Sequence, residues 1–231
     1  MTKQVLVALA LMLFLSLGAQ VLSNFGADFE RTLQTAEGEE HSFGKIRMEF
    51  PNEVIIFVEE PLEQWLYYSD GYFLVHYPEQ QTSYRISKKV ETAPHFISTL
   101  IAAVKEDFGL SGLGFTIHSV EVEHDTLKVL WQAPETLSAR ISRVELLYIE
   151  QALVESKSYN MNNDLVIVNS YSGHIPYHGY QIPLKTINRQ ISETGERTET
   201  IAYQNPEFNA DYSALLNQFR ALERELTQTS E

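Results

Sequence analysis

The sequence predicts a single α+β domain in which one large antiparallel sheet packs against two amphipathic helices. From position 43 onward, runs of β-branched and aromatic residues recur about every eight to twelve residues, a spacing typical of a β-meander and not of βαβ units. Two segments have helical periodicity instead. No internal repeat or linker interrupts the 231 residues, and this length suits one domain.

The first residues predict a secretory signal peptide. Residues 5–17 are apolar apart from one serine, follow Lys3 and lead into Gly18 and Ala19. An apolar run of about 13 residues matches the core of a signal peptide and is shorter than the roughly 20 residues that span a bilayer. We expect residues 1–19 to be cleaved, with an uncleaved anchor as the alternative. The chain has no cysteine, so the exported protein would not itself be lipidated.

The composition excludes several classes of function. The chain has 31 acidic and 17 basic residues, for a net charge of -14. This charge argues against binding to nucleic acid and to anionic membrane surfaces, both of which select clustered Lys and Arg. The absence of cysteine excludes disulfides, thiolate metal sites and cysteine nucleophiles. We therefore expect a soluble, acidic, exported domain over residues 20–231.

Thirteen strands account for the meander, and turn residues support several of the joints. Ser69-Asp70-Gly71 separates two apolar runs, and Asp-Gly is a strong hairpin signal. Residues 161–164 and 192–195 are similarly rich in turn formers. The predicted strands span residues 29–35, 43–50, 54–59, 64–68, 72–77, 82–87, 115–122, 127–131, 141–150, 153–159, 165–170, 181–191 and 198–204.

Two segments, 94–108 and 211–226, are predicted as helices with one apolar side each. Gly109 can end the first helix in the left-handed conformation, and Asn209 or Asp211 can cap the second. The apolar stripes consist of Phe96, Ile97, Leu100, Ile101, Val104 and Phe108 in the first helix and of Tyr212, Leu215, Leu216, Phe219, Leu222 and Leu226 in the second.

The strand around residues 54–58 is apolar on both faces, as are the strands at 64–68 and 72–77. A sheet with one solvated face would alternate apolar and polar residues. We therefore expect the helix at 211–226 to cover one face and the helix at 94–108 to cover the other. The periodicity is compatible with a packed core or with a ligand cavity.

Several short motifs, taken in their order and spacing, resemble the LolA family of periplasmic carriers for outer-membrane lipoproteins. They are the stretch at 44–51 beginning with Gly44 and ending with Pro51, then Pro61, the stretch at 69–78, and Pro94-His95-Phe96 at the start of a helix. The resemblance implies a curved sheet like an incomplete barrel, closed by helices around an apolar cavity for acyl chains.

The resemblance also implies a site and partners. The helix at 94–108 would be a lid, and no cofactor, metal or catalytic residue would be needed. The cargo would be acylated lipoproteins, passed by a monomeric periplasmic protein from a releasing complex in the inner membrane to an outer-membrane acceptor. The residues expected to line the acyl cavity are Ile56, Val58, Trp65, Tyr67, Phe73 and Val75 on the sheet and Phe96, Leu100, Ile101 and Val104 on the lid.

The sequence departs from the family in three places. The family has an arginine before the proline that ends its early strand, and Phe50 occupies that position here. Residues 20–28 are too few for the family's first helix. The helix at 211–226 extends beyond the family pattern.

Other functions receive less support from the residues. His174 and His178 have a spacing that could bind a metal on a helix, but Pro176 prevents a helix there. Glu121 and Glu123 share one strand face, which is more typical of a solvated surface than of paired catalytic carboxylates. The alternatives that stay open are a carrier or sensor of other lipids or glycolipids, a periplasmic scaffold with a filled core, and a metal-dependent hydrolase.

Overall fold

The computed structural model describes residues 22–50, 53–69, 72–87, 102–103, 107–138, 140–192 and 195–228. The predicted signal peptide and most of the predicted lid lie outside these residues. Within the described residues, no helix is both long and apolar enough to cross a bilayer.

The described residues contain fifteen strands, one α-helix whose bounds are described, two further helical residues at 102–103, and a 3₁₀ turn at Ser111–Leu113. This helix, α1, spans Ser213–Gln228. The strands are β1 Asn24–Thr35, β2 Gly38–Glu49, β3 Glu53–Glu60, β4 Gln64–Ser69, β5 Tyr72–Tyr77, β6 Thr82–Ser87, β7 Thr116–Glu123, β8 Thr126–Gln132, β9 Arg143–Ile149, β10 Ala152–Tyr159, β11 Leu165–Ser172, β12 Ile175–Tyr177, β13 Tyr180–Ile182, β14 Lys185–Ser192 and β15 Gly195–Phe208.

Thirteen of the strands form one open antiparallel sheet, in the order β6-β5-β4-β3-β2-β1-β15-β14-β11-β10-β9-β8-β7. The first and last strands pair with each other near the centre, and β6 and β7 are the two edges. The chain between β6 and β7 therefore runs from one edge of the sheet to the other. The predicted single large antiparallel sheet is confirmed.

The predicted strands are present, with corrections to several bounds and one strand that is divided. β2 begins at Gly38 instead of Phe43, and β15 extends over Gly195–Phe208 instead of 198–204. β1 begins at Asn24 instead of Phe29. Residues 24–28, which belong to the stretch where the family has its first helix, are therefore part of a strand. The strand predicted at 181–191 is two strands, β13 and β14, with Pro183 between them. Proline has no backbone N–H to donate to a ladder. β13 pairs with β12 in a separate hairpin, so the segment around Pro176, for which no strand was predicted, is a β-hairpin.

Helix α1 covers one face of the sheet at strands β3 to β5, as the sequence predicts for the C-terminal helix. Phe219 is 1% exposed and packs with Tyr67, their ring centroids 5.5 Å apart. The Asp211 carboxylate accepts a hydrogen bond of 2.9 Å from the Ser213 amide at the start of the helix. The cluster consists of Ile55, Tyr67, Leu74, Leu216 and Phe219, with Phe57, Trp65, Leu215 and Leu222 packed against it.

The predicted helix at 94–108 is described only at its end. Ala102 and Ala103 are helical, and the chain turns at Asp107. Phe108 and Gly109 have φ values of 58° and 75°, in the left-handed region, and Asp107 accepts a hydrogen bond of 2.8 Å from the Gly109 amide. The left-handed conformation predicted for Gly109 is therefore confirmed.

Candidate ligand-binding face

The strand registers define two faces of the sheet, which differ in what covers them. On one face Ile46, Ile56, Leu66 and Val75 lie in a row across β2 to β5. The β12–β13 hairpin packs on this face through residues that include Tyr177 and Ile182, and we call it the hairpin face. The opposite face carries α1, and we call it the helix face.

The hairpin face continues to the other edge of the sheet through direct cross-strand pairs. A second row of paired residues lies on strands β7, β8, β9, β10, β11, β14 and β15. It consists of Val120, Val129, Leu146, Ser156, Asn169, Asn188 and Glu199. Apolar residues occupy the row near the β7 edge and polar residues occupy it at the centre. The hairpin face therefore has two apolar regions with a polar band between them.

The polar band is buried and internally hydrogen-bonded. The Asn188 side-chain amide donates to Asn169 Oδ1 at 2.6 Å, and Asn169 Nδ2 donates to Ser156 Oγ at 2.9 Å. The Arg31 guanidinium pairs with Glu199 at 2.6 Å. Ser156, Asn169, Asn188 and Glu199 are each at most 5% exposed. Buried polar groups that satisfy one another hold strands in a single register.

Two buried tyrosines flank this band. Burial raises the pKa of Tyr171 and of Tyr203 above the usual tyrosine value, with Ser156 near the first hydroxyl and Thr186 near the second. Both tyrosines therefore stay neutral at physiological pH. Sequence reasoning missed the whole band, because polar residues at single positions in separate strands give no local signal.

Four of the six predicted sheet residues of the acyl cavity lie together on the hairpin face. Ile56, Val58 and Val75 are at most 8% exposed, and Phe73 shares their face because it pairs with Tyr68, which in turn pairs with Val54. These residues belong to, or lie beside, the apolar region that the β12–β13 hairpin covers.

Trp65 and Tyr67 lie on the helix face, so the six predicted residues do not line one surface. Trp65 pairs with Phe57, and Tyr67 pairs with Ile55. Both rings pack against Phe219 of α1, at centroid distances of 6.1 and 5.5 Å. The sequence could not separate the two sets, because every residue of β3 from Val54 to Val58 is apolar.

The end of the predicted lid packs on the hairpin face. Ala103, Leu110 and Phe115 share an apolar cluster with residues of β8, β9 and β11, among them Leu146 and Tyr171. The connection between the two sheet edges therefore crosses this face where it is described. The four predicted lid residues Phe96, Leu100, Ile101 and Val104 lie outside the described residues.

Asp107 stabilises a turn at the end of the lid segment. Partial burial opposes ionisation of this carboxyl group, but hydrogen bonds from the Ser111 hydroxyl and from the Gly109 and Ser111 amides outweigh burial and lower its pKa. The carboxylate thus closes the turn that brings Leu110 onto the sheet.

A pocket of about 280 Å³ opens on the helix face beside α1. Its walls are aromatic and apolar, and Trp65 and His76 face each other there with ring centroids 5.3 Å apart. The remaining lining residues are Gln218, Phe219, Ala221 and Leu222. The pocket is separated by the sheet from the residues on the hairpin face.

The residues considered for catalysis do not converge in the described structure. His174 Nε2 lies 2.9 Å from the Leu153 carbonyl oxygen, and the His178 ring packs edge-on against Tyr177 at 4.6 Å. Glu121 lies opposite Lys128 on the helix face. Within the described residues, no group of three or more His, Asp or Glu side chains is placed to hold a metal ion.

Solved structures share this architecture. A LolA superfamily protein from Nitrosomonas europaea matches with a TM-score of 0.55, over 82% of this chain and 88% of its own. An outer membrane lipoprotein-sorting domain from Vibrio parahaemolyticus matches with a TM-score of 0.59, over 83% and 87%. A DUF1329 family protein from Desulfovibrio piger matches with 0.62, over 89% and 92%. Each is 12% identical to this chain.

The chain therefore has a LolA-like fold, as the resemblance of its motifs predicts. The sequence itself matches no protein-family model and no curated protein.

Proposed function

We propose that this protein is an exported, non-enzymatic carrier that binds acyl chains on the hairpin face of its sheet. The observation that carries the proposal is that apolar side chains of this face reach both edges of the sheet and are exposed there within the described residues. Tyr84 and Ile86 on β6 are 55% and 48% exposed, and Val120 and Val122 on β7 are 54% and 72% exposed. Exposed apolar groups aligned on one face are typical of a surface that binds an apolar ligand.

The physical chemistry of acyl chains explains why such a carrier is needed. Each CH₂ group removed from water contributes about 0.8 kcal/mol, so a triacylated molecule would need a shelter worth tens of kcal/mol. The shelter must also open for release, which favours a movable lid over a close-packed cover. In our proposal the lid is the segment 94–108, with Phe96, Leu100, Ile101 and Val104 towards the acyl chains.

The cargo in this proposal is the lipid moiety of lipoproteins, carried through the periplasm from an inner-membrane releasing complex to an outer-membrane acceptor. The fold shared with an outer membrane lipoprotein-sorting domain supports this choice. A predicted signal peptide and a net charge of -14, which repels anionic membranes, support export as a freely diffusing monomer.

The proposed acyl site comprises the sheet residues on the hairpin face, Ile56, Val58, Phe73 and Val75. Trp65 and Tyr67 are left out of it, because they lie on the helix face beneath α1. The packing of Ala103 and Leu110 on the hairpin face supports a lid on the same side.

The first test is native mass spectrometry of the mature protein, followed by extraction and identification of any bound lipid. A bound acylated species supports a carrier, and its headgroup separates lipoprotein cargo from free lipids or glycolipids. A ligand-free mass combined with no binding of a fluorescent fatty acid would contradict the proposal and favour a scaffold with a filled core.

Matched variants assign the binding to one face. Ile86→Glu places a charge at an exposed position on the hairpin face, whereas Phe43→Glu places the same charge on the helix face, where Phe43 is 39% exposed. We expect the first variant to weaken fatty-acid binding about tenfold and the second to leave it unchanged. Leu100→Asp should abolish binding and retain the β-sheet circular dichroism. Equal effects of Ile86→Glu and Phe43→Glu would refute the assignment.

A further inference from the structure

Strand β7 is one of the two edges of the sheet. Within the described residues it pairs only with β8, through a register that is regular from Ser119 to Glu123 after a bulge at His118. Every residue of the strand except Ser119 is exposed. The backbone N–H and C=O groups on its outer side form a row that another strand can pair with.

The side chains of β7 divide sharply between the two faces. Val120 and Val122 lie opposite Val129 and Leu127 on the hairpin face, whereas Glu121 lies opposite Lys128 on the helix face. Lys128 pairs with Glu145 at 3.2 Å, on the strand beyond it. Within the described residues, Glu121 and Glu123 have no ion-pair partner.

This pattern specifies the chemistry of an added strand. Neighbouring strands place apolar residues beside apolar residues and opposite charges beside each other on the same face. A strand next to β7 would therefore carry apolar side chains beside Val120 and Val122, and Lys or Arg beside Glu121 and Glu123.

A second copy of this chain that pairs through its own β7 does not fit that pattern. Two β7 strands paired antiparallel with each other would bring Glu121 and Glu123 of both copies onto one face. Like charges in that position are destabilising, and two molecules with a net charge of -14 repel each other over longer distances as well.

We propose that the β7 edge binds an extended segment of a partner protein in which apolar residues alternate with Lys or Arg. The segment adds a fourteenth strand to the sheet. Main-chain hydrogen bonds supply the binding, and the alternation supplies the specificity. This site shares Val120 and Val122 with the apolar edge of the hairpin face, but it is formed by the backbone on the outer side of β7 and needs no cavity.

The test uses the mature protein and a capped nonapeptide in which lysine alternates with valine. We expect binding that weakens with salt, together with slower amide hydrogen exchange in β7. Two control peptides have the same side chains and charge, with N-methyl groups on the valine amides in one and on the lysine amides in the other. Each control blocks one edge of the peptide strand, so at least one of them should fail to bind.

Protein variants provide the second arm. Glu121→Lys combined with Glu123→Lys should weaken peptide binding roughly tenfold. Glu37→Lys combined with Glu40→Lys changes the net charge equally at the β1–β2 turn, far along the sheet order from β7, and should change affinity less than about twofold. Absence of binding, equal binding of all three peptides, equal effects of the two double variants, or protection outside β7 would each overturn the proposal.

Discussion

Gly44 is the position where one added carbon should have the largest effect on this fold. The residue lies on β2, opposite Val58 and next to a bulge in the β2–β3 pairing. A Cβ built on Gly44 would lie 1.9 Å from the carbonyl oxygen of Phe57 and 2.9 Å from its carbonyl carbon. Both atoms belong to the backbone, so no side-chain rotation can relieve the overlap.

The size of the effect follows from that distance. A Cβ needs at least 3.0 Å from any such neighbour, so β2 and β3 would have to part by more than about 1 Å in the middle of a buried region. Overpacking of this kind costs about 2–4 kcal/mol. For a domain of this size each kcal/mol lowers Tm by roughly 2–4 °C, so Gly44→Ala should lower Tm by about 5–15 °C.

Gly112→Ala is the matched control, because a Cβ on Gly112 meets nothing within 4 Å. Thermal and urea unfolding of both variants, followed by circular dichroism, measure the difference. A Gly44→Ala protein with the same Tm as the wild type and as Gly112→Ala would refute the close approach of β2 and β3.

Three further predictions concern the helix, a turn and a buried tyrosine. Arg220→Ala should lower the free energy of unfolding by about 1 kcal/mol, because Arg220 of α1 forms an ion pair with Glu53 of β3 at 2.6 Å. A change smaller than the error of urea unfolding would argue against this attachment. Gln151→Gly should stabilise the protein by about 0.5–1 kcal/mol in the same assay. Gln151 has a φ of 69° in the β9–β10 turn, a conformation that glycine adopts without strain. A loss of stability would contradict that geometry. Burial, and then the charge of Asp107, raise the pKa of Tyr148 to about 12. The folded state holds this proton more tightly than the unfolded state, so Tyr148 should stabilise the fold fully below pH 10 and lose this contribution between pH 10 and 12. Tyr148→Phe should therefore reduce the fall in the free energy of unfolding between pH 10 and 12. An unchanged fall in the variant would refute the assignment.

Local patterns were sufficient for most of the elements. The strands were predictable because β-branched and aromatic runs alternate with turn residues, and α1 was predictable from the spacing of Leu215, Phe219 and Leu222. The β12–β13 hairpin was not, because each strand has three residues and Pro176 lies in the first. Short strands of this kind are defined by their partner and not by their own period.

The candidate site was predicted only in part. The sequence identified the apolar strands, and four of the six sheet residues lie on one face. Trp65 and Tyr67 were assigned to the same surface because a run of consecutive apolar residues does not indicate which side chains lie on which face of the sheet. The register with β3, which places Tyr67 opposite Ile55, assigns them to the helix face.

The amino-acid sequence by itself determined that this chain forms a meandering antiparallel sheet with a helix at its C-terminal end, because those features depend on residues close together in the chain. Only the tertiary structure decided which face α1 covers, where the hairpin packs and how Ser156, Asn169 and Asn188 meet in a buried band. Those contacts join residues far apart in sequence, and they arise only when the register aligns the strands and removes both faces from water together.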